Sequence, residues 1–206
     1  MFLTTKILMY IIQGLALFFA IKNWKFYKDG KQRFFLHFMV YVIITEIVAY
    51  TITFFPQYDN DFVYNIFTLV SFLFYFFWYY KLLISKRILI NLLSISFIIV
   101  NIISIIKGSF FAEILSFPVL VGALSVVLLT SLMFVKIIRD KESINYKKSQ
   151  KFWLATGLLI FYVGYLPLPF FLNVLDAYSF TYGFLMMLLN ILLYGCFIIA
   201  FNLKTE

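Results

Sequence analysis

The chain is short of charge, cysteine and histidine, and each shortage removes a class of function. Only 13% of its 206 residues are Asp, Glu, Lys or Arg, against about 25% in soluble domains. Cys196 is the single cysteine, so neither a disulfide framework nor a multi-cysteine metal centre can be built within the chain. His37 is the single histidine, which leaves no second one for a metal site. H-E-x-x-H, G-x-S-x-G and Walker-type loops are all missing. The expectation is a protein that is not an enzyme and needs no cofactor.

Apolar residues make up 64% of the chain, where soluble proteins have roughly 45–50%. A soluble fold of this size leaves too much surface in water to hide that share. Lipid is therefore the solvent, and the lipid bilayer the first partner. About 20 mostly apolar residues are needed to cross a hydrocarbon core of roughly 30 Å. Seven stretches qualify, at about 3–21, 34–55, 62–80, 88–106, 114–135, 152–172 and 182–203. The fold expected is all-α: one polytopic seven-helix bundle, residues 1–206, with no repeat of fixed short period. The first stretch has a single basic residue, Lys6, near its start and no small-residue cleavage pattern after it, so it reads as a span and not a signal peptide.

The charges support the count of seven. Of the 17 Lys and Arg, only Lys6 and Lys107 fall outside the odd-numbered loops and the tail after the last span. Lys22, Lys25, Lys28, Lys31 and Arg33 fill the first loop, and Lys81, Lys86 and Arg87 the third. Lys136, Arg139, Lys141, Lys147, Lys148 and Lys151 fill the fifth. Basic residues are retained in the cytoplasm, which places the N-terminus outside and the C-terminus in the cytoplasm. The net charge of +8 then fits an anionic cytoplasmic leaflet and not nucleic acid. Loops this short hold no soluble domain, so any signal passes to a cytoplasmic protein partner through the basic loops.

Polar groups at bilayer depth are the candidate site residues, since each costs free energy unless partnered or hydrated. Glu46 lies twelve residues into the second span, about 18 Å along the axis and near mid-membrane. It shares a helix face with Met39, Tyr50 and Thr53. One reading is a proton, cation or ligand site. The other is a neutral carboxylic acid hydrogen-bonded within the bundle, because desolvation favours the uncharged form. His37 falls on the opposite side of that helix and reads as an interfacial residue.

Two polar-aromatic stripes follow. Asn65, Thr68, Phe72, Tyr75 and Tyr79 share one face of the third span, and Gly183, Met187, Asn190 and Tyr194 one face of the seventh. These stripes are placed either to line a ligand cavity or to hydrogen-bond between helices. Asn91, Ser94 and Asn101 in span four, and Ser116, Pro118, Gly122 and Ser125 in span five, read as packing. In the sixth span Pro167 and Pro169 each remove a backbone donor, giving a kink or hinge, or simply the helix end.

At the level of layout, the segments Asn65-Ile66-Phe67-Thr68-Leu69-Val70-Ser71-Phe72 and Asn190-Ile191-Leu192-Leu193-Tyr194 resemble those of small bacterial seven-helix membrane proteins akin to the membrane sensor part of histidine kinases. That resemblance implies a multi-pass protein of the bacterial inner (cytoplasmic) membrane and transfers no functional residue. A retinal-binding protein is excluded, because the last span has no lysine before Lys204. The leading expectation is a sensor or receptor-like bundle that binds a small or lipidic ligand between its helices. The alternative is a small transporter or channel with Glu46 as its intramembrane carboxylate.

Overall fold

Long apolar runs satisfy their backbone hydrogen bonds internally only as helices, and helices are what these runs form. A computed structural model of the protein describes residues 2–55, 59–108, 110–139, 146–168 and 180–203. Among them are seven α-helices: α1 (Phe2–Lys22), α2 (Phe34–Ile52), α3 (Asp61–Leu82), α4 (Arg87–Lys107), α5 (Ser116–Arg139), α6 (Gln150–Tyr165) and α7 (Phe180–Asn202). All except α6 are long and apolar enough to cross a membrane. The protein is a multi-pass membrane protein, with six candidate spans among the described residues. The 16 residues of α6 rise about 24 Å, short of the roughly 30 Å core. The last residues of the expected sixth span, 169–172, lie outside the described residues.

Charge and turn chemistry set the helix ends. Lys22 closes α1, Lys107 closes α4, and Lys136 with Arg139 occupies the last turn of α5, each a cation at the negative end of a helix dipole. α2 stops three residues before the sequence pattern predicts. There the Thr53 hydroxyl donates to the Tyr50 carbonyl at 2.7 Å and the chain turns through Phe55.

The chain divides into two compact units, Met1–Met39 with Thr130–Glu206, and Val40–Leu129. In the first, α7 packs against both α1 and α6. Small residues permit both approaches. α1 buries Thr5, Gln13, Ala16 and Ala20, a stripe at helical spacing. On α6, Gly157 and Gly164 stand seven residues apart and so on one face. A Cβ at Gly157 would lie 2.9 Å from Cys196 Cβ and 3.0 Å from the Leu193 carbonyl oxygen, and one at Gly164 would run into Leu189. Cys196 is buried as part of this packing.

At the basic end of the same unit the first loop is pinned. Tyr27 is buried, donates its hydroxyl to the Ala20 carbonyl at 2.6 Å and sets its ring 5.3 Å from Phe201. Asn23 donates to Asn202 Oδ1 at 3.1 Å, and Gln150 to the Leu203 carbonyl at 3.0 Å. His37 is exposed, with its ring 6.0 Å from Trp24.

In the second unit the core is aromatic. Phe97 of α4 receives Phe72 and Phe76 of α3 at ring separations of 5.3 and 5.7 Å, both edge-on, the favoured geometry for ring pairs. Gly122 of α5 faces the Phe72 ring so closely that a Cβ there would run into it. Outside the core, Ile88, Ile106 and Phe117 are 80, 77 and 73% exposed. Apolar exposure on that scale needs a cover, and lipid supplies it.

Candidate ligand cleft

A cleft of about 580 Å³ opens between the end of α4 and the start of α5, within the range of small-molecule sites. Its wall is mostly apolar, from Val100, Ile103, Phe117 and Val121, and Ser104, Ser116, Lys107 and Glu113 supply the polar part. Val100 and Lys107 are seven residues apart on α4, so the cleft runs about 10 Å along that helix.

The connection from α4 to α5 owes its shape to Asn65 and Gly108. Asn65 of α3 is buried and donates through Nδ2 to the carbonyls of Phe110, at 2.8 Å, and Glu113, at 2.9 Å. Its Oδ1 accepts the Leu115 amide at 3.0 Å. All three bonds end on backbone just before α5, so one side chain fixes where that helix begins. Gly108 gives the chain room to close. A Cβ there would meet the Ser104 carbonyl at 3.0 Å, Glu113 Oε1 at 3.1 Å and a Leu115 methyl at 3.2 Å. The Glu113 carboxylate thus sits over the end of α4, one residue beyond Lys107.

Glu46 lies elsewhere in the same unit. It is half-buried and accepts the Tyr64 hydroxyl at the long limit of 3.5 Å. Tyr64 is in the first turn of α3, and Glu46 is six residues from the end of α2, about 9 Å. The midpoint of α2 is residue 43, so Glu46 lies about 4.5 Å past it and closer to the middle of the helix than to its end. Tyr50 and Thr53 do not gather around it. Both are exposed, and the Tyr50 ring packs edge-on at 5.2 Å from Phe54.

The remaining stripe residues serve mainly structural ends. Thr68 is half-buried, and Tyr75 is buried beside Phe72 and Phe74. Asn190 is buried and donates to the Met186 carbonyl one turn back at 2.8 Å, while Tyr194 packs edge-on at 5.8 Å from Phe197. The same bond to the preceding turn is made by Ser94, Asn101, Ser125 and Thr156. These side chains satisfy themselves on their own helices, a local alternative to bonding between helices. Gln13 Oε1 and Ser71 Oγ are buried with no partner among the described residues.

Pro167 is exposed in the turn after α6, whose last helical residue is Tyr165, and the preceding Leu166 amide still bonds the Tyr162 carbonyl at 3.0 Å. This proline follows the described end of α6. Pro169 lies outside the described residues. Among the described residues no three metal-ligating side chains come together.

Sequence reasoning passed over the cleft, although Lys107 is one of two basic residues off the basic side and Glu113 follows it closely. No protein-family model matches this chain, and the searches of characterised proteins and of solved structures likewise gave no match.

Proposed function

We propose that this protein is a seven-helix sensor of the bacterial inner membrane that takes a small amphiphilic ligand into the α4–α5 cleft and reports it to a cytoplasmic partner. The cleft itself is the observation that carries this reading, since it combines an apolar wall with a cation, a carboxylate and two hydroxyls. α5 supports the second half. It runs without a break from Ser116 in the cleft to Lys136 and Arg139 in its last turn, about 30–35 Å along the helix, a continuous element able to carry a displacement from one end to the other. The distribution of Lys and Arg supports an outside N-terminus, with the cleft on the outer side and the basic loops in the cytoplasm. Hydrogen exchange on the purified protein, with and without saturating dodecylphosphocholine, tests this. Slowed exchange at residues 110–117 together with altered exchange at 136–139 is expected, and no change at 136–139 defeats the sensor reading.

The transporter reading rests on one observation, the Tyr64 hydroxyl on the Glu46 carboxylate. Gradient-driven flux in liposomes that disappears in Glu46→Gln would favour it. No flux under any ion gradient would remove it.

A further inference from the structure

We infer that the α4–α5 cleft recognises the headgroup of a zwitterionic phospholipid, one bearing both a phosphate and an ammonium group, drawn from the surrounding leaflet. This rests on the cleft being a ligand site, as proposed above.

The chemistry of the lining selects the ligand. Lys107 supplies a fixed cation at the mouth, beside Ser116 at the start of α5. The N-terminal end of that 24-residue helix adds partial positive charge and backbone N–H donors. Together they suit a phosphate. Pro118 in the first turn removes one such donor but is tolerated there. Glu113 brings a carboxylate to the same mouth, over Gly108, which suits an ammonium and opposes a second anion. A purely anionic headgroup would satisfy Lys107 and be repelled by Glu113, whereas a headgroup with both charges satisfies each.

The depth of the cleft argues for a lipid over a free headgroup. Below the charged mouth the wall continues through Ile103, Val100 and Val121, the direction an acyl chain takes from an interfacial phosphate. Phe117 is 73% exposed, so the cleft is open sideways on an apolar flank and a lipid need not leave the bilayer to enter. The site also has a fixed frame, because Asn65 holds the backbone of Glu113 and Leu115 from a third helix.

Native mass spectrometry of the full chain in detergent tests this. Phosphatidylethanolamine and phosphatidylglycerol of identical acyl chains are titrated against wild type, Lys107→Gln, Glu113→Gln and the cleft-filling Val121→Trp. Wild type is expected to bind one saturable phosphatidylethanolamine about tenfold more tightly than phosphatidylglycerol, the ratio one charge-assisted contact provides. Glu113→Gln should erase that preference and leave phosphatidylglycerol binding unchanged or tighter. Lys107→Gln should weaken both lipids by about tenfold. Lys107 and Glu113 are exposed, so these variants fold, and unchanged melting temperatures check it.

Equal affinity for the two lipids in wild type, or a preference untouched by Glu113→Gln, overturns the headgroup assignment while the cleft remains a ligand site. A saturable lipid that survives Val121→Trp, or annular lipid only with no saturation, overturns the cleft reading itself. Glycerophosphoethanolamine separates the two sources. Failure to displace the lipid at equal concentration is expected, and full displacement would assign the site to a soluble phosphoester instead.

Discussion

Asn65 accepts the Leu115 backbone amide at 3.0 Å across fifty positions of sequence. The bond ties the N-terminal part of α3 to the residue before α5, and the same side chain holds two carbonyls of the connection. Asn65→Leu keeps the volume and leaves these backbone groups unpaired. A buried group that loses its partner costs about 1–3 kcal/mol, so a net loss of about 2 kcal/mol is expected. It should appear as a lower melting temperature in detergent and faster hydrogen exchange at Leu115. Asn65→Asp should be no better, since it sets a carboxylate against two carbonyl oxygens.

Gly122→Ala places a methyl group in the Phe72 ring. Overpacking of this kind costs about 1–3 kcal/mol. A second change, Phe72→Leu, empties the space the methyl needs. The double variant is therefore expected to be more stable than the sum of the two single losses. Strict additivity in a double-mutant cycle would refute the contact.

Glycines in α1, α6 and α7 should respond with opposite signs. Gly157→Ala drives a methyl against Cys196 Cβ and the Leu193 carbonyl, whereas a Cβ at Gly14 or Gly195 meets nothing within 4 Å. Alanine in an open helical position gains about 0.5–1 kcal/mol over glycine. Gly14→Ala and Gly195→Ala should raise the melting temperature slightly, and Gly157→Ala should lower it.

Tyr27 gives a pH-dependent prediction. Burial pushes its phenol above the ordinary value of 10.0. Below that value both folded and unfolded chains keep the proton, and the contribution to stability is complete. Above it the unfolded chain releases the proton while the folded one holds it, so stability falls as pH rises past about 10. Tyr27→Phe loses the bond to the Ala20 carbonyl, worth about 1 kcal/mol at neutral pH. It should also show a shallower decline between about pH 10 and 11 in the same melting assay.

Hydropathy and charge spacing made the helices legible, because an apolar run in lipid has a single way to satisfy its backbone. Where polar side chains point is a different matter. Asn65 was visible as a buried polar group, but its partners are backbone atoms of a loop about fifty residues away, and nothing in helical periodicity identifies them. Tyr50 shares a helical face with Glu46, yet its side chain is exposed and packs on Phe54. Asn190 looks like a bond between helices until the preceding turn is seen to supply the acceptor, and Ser94 and Ser125 bond their own helices in the same way. Lys107 stood out only as an exception to the charge pattern, and Glu113 only as one acidic residue of the loop that follows it. Their convergence depends on Gly108, whose missing side chain is a fact of packing and not of pattern.

The first unit is assembled from both ends of the sequence, with α1 from one and α6 and α7 from the other, while Val40–Leu129 is continuous. This has a consequence for biogenesis. Translation delivers α1 to the membrane well before α7 exists, so the face bearing Gln13, Ala16 and Ala20 must wait in lipid or against the insertion machinery for its partner. The continuous unit carries no such delay and is free to assemble first. A ribosome paused before α7 should therefore hold α1 in reach of crosslinkers on the insertase, and release it once α7 emerges.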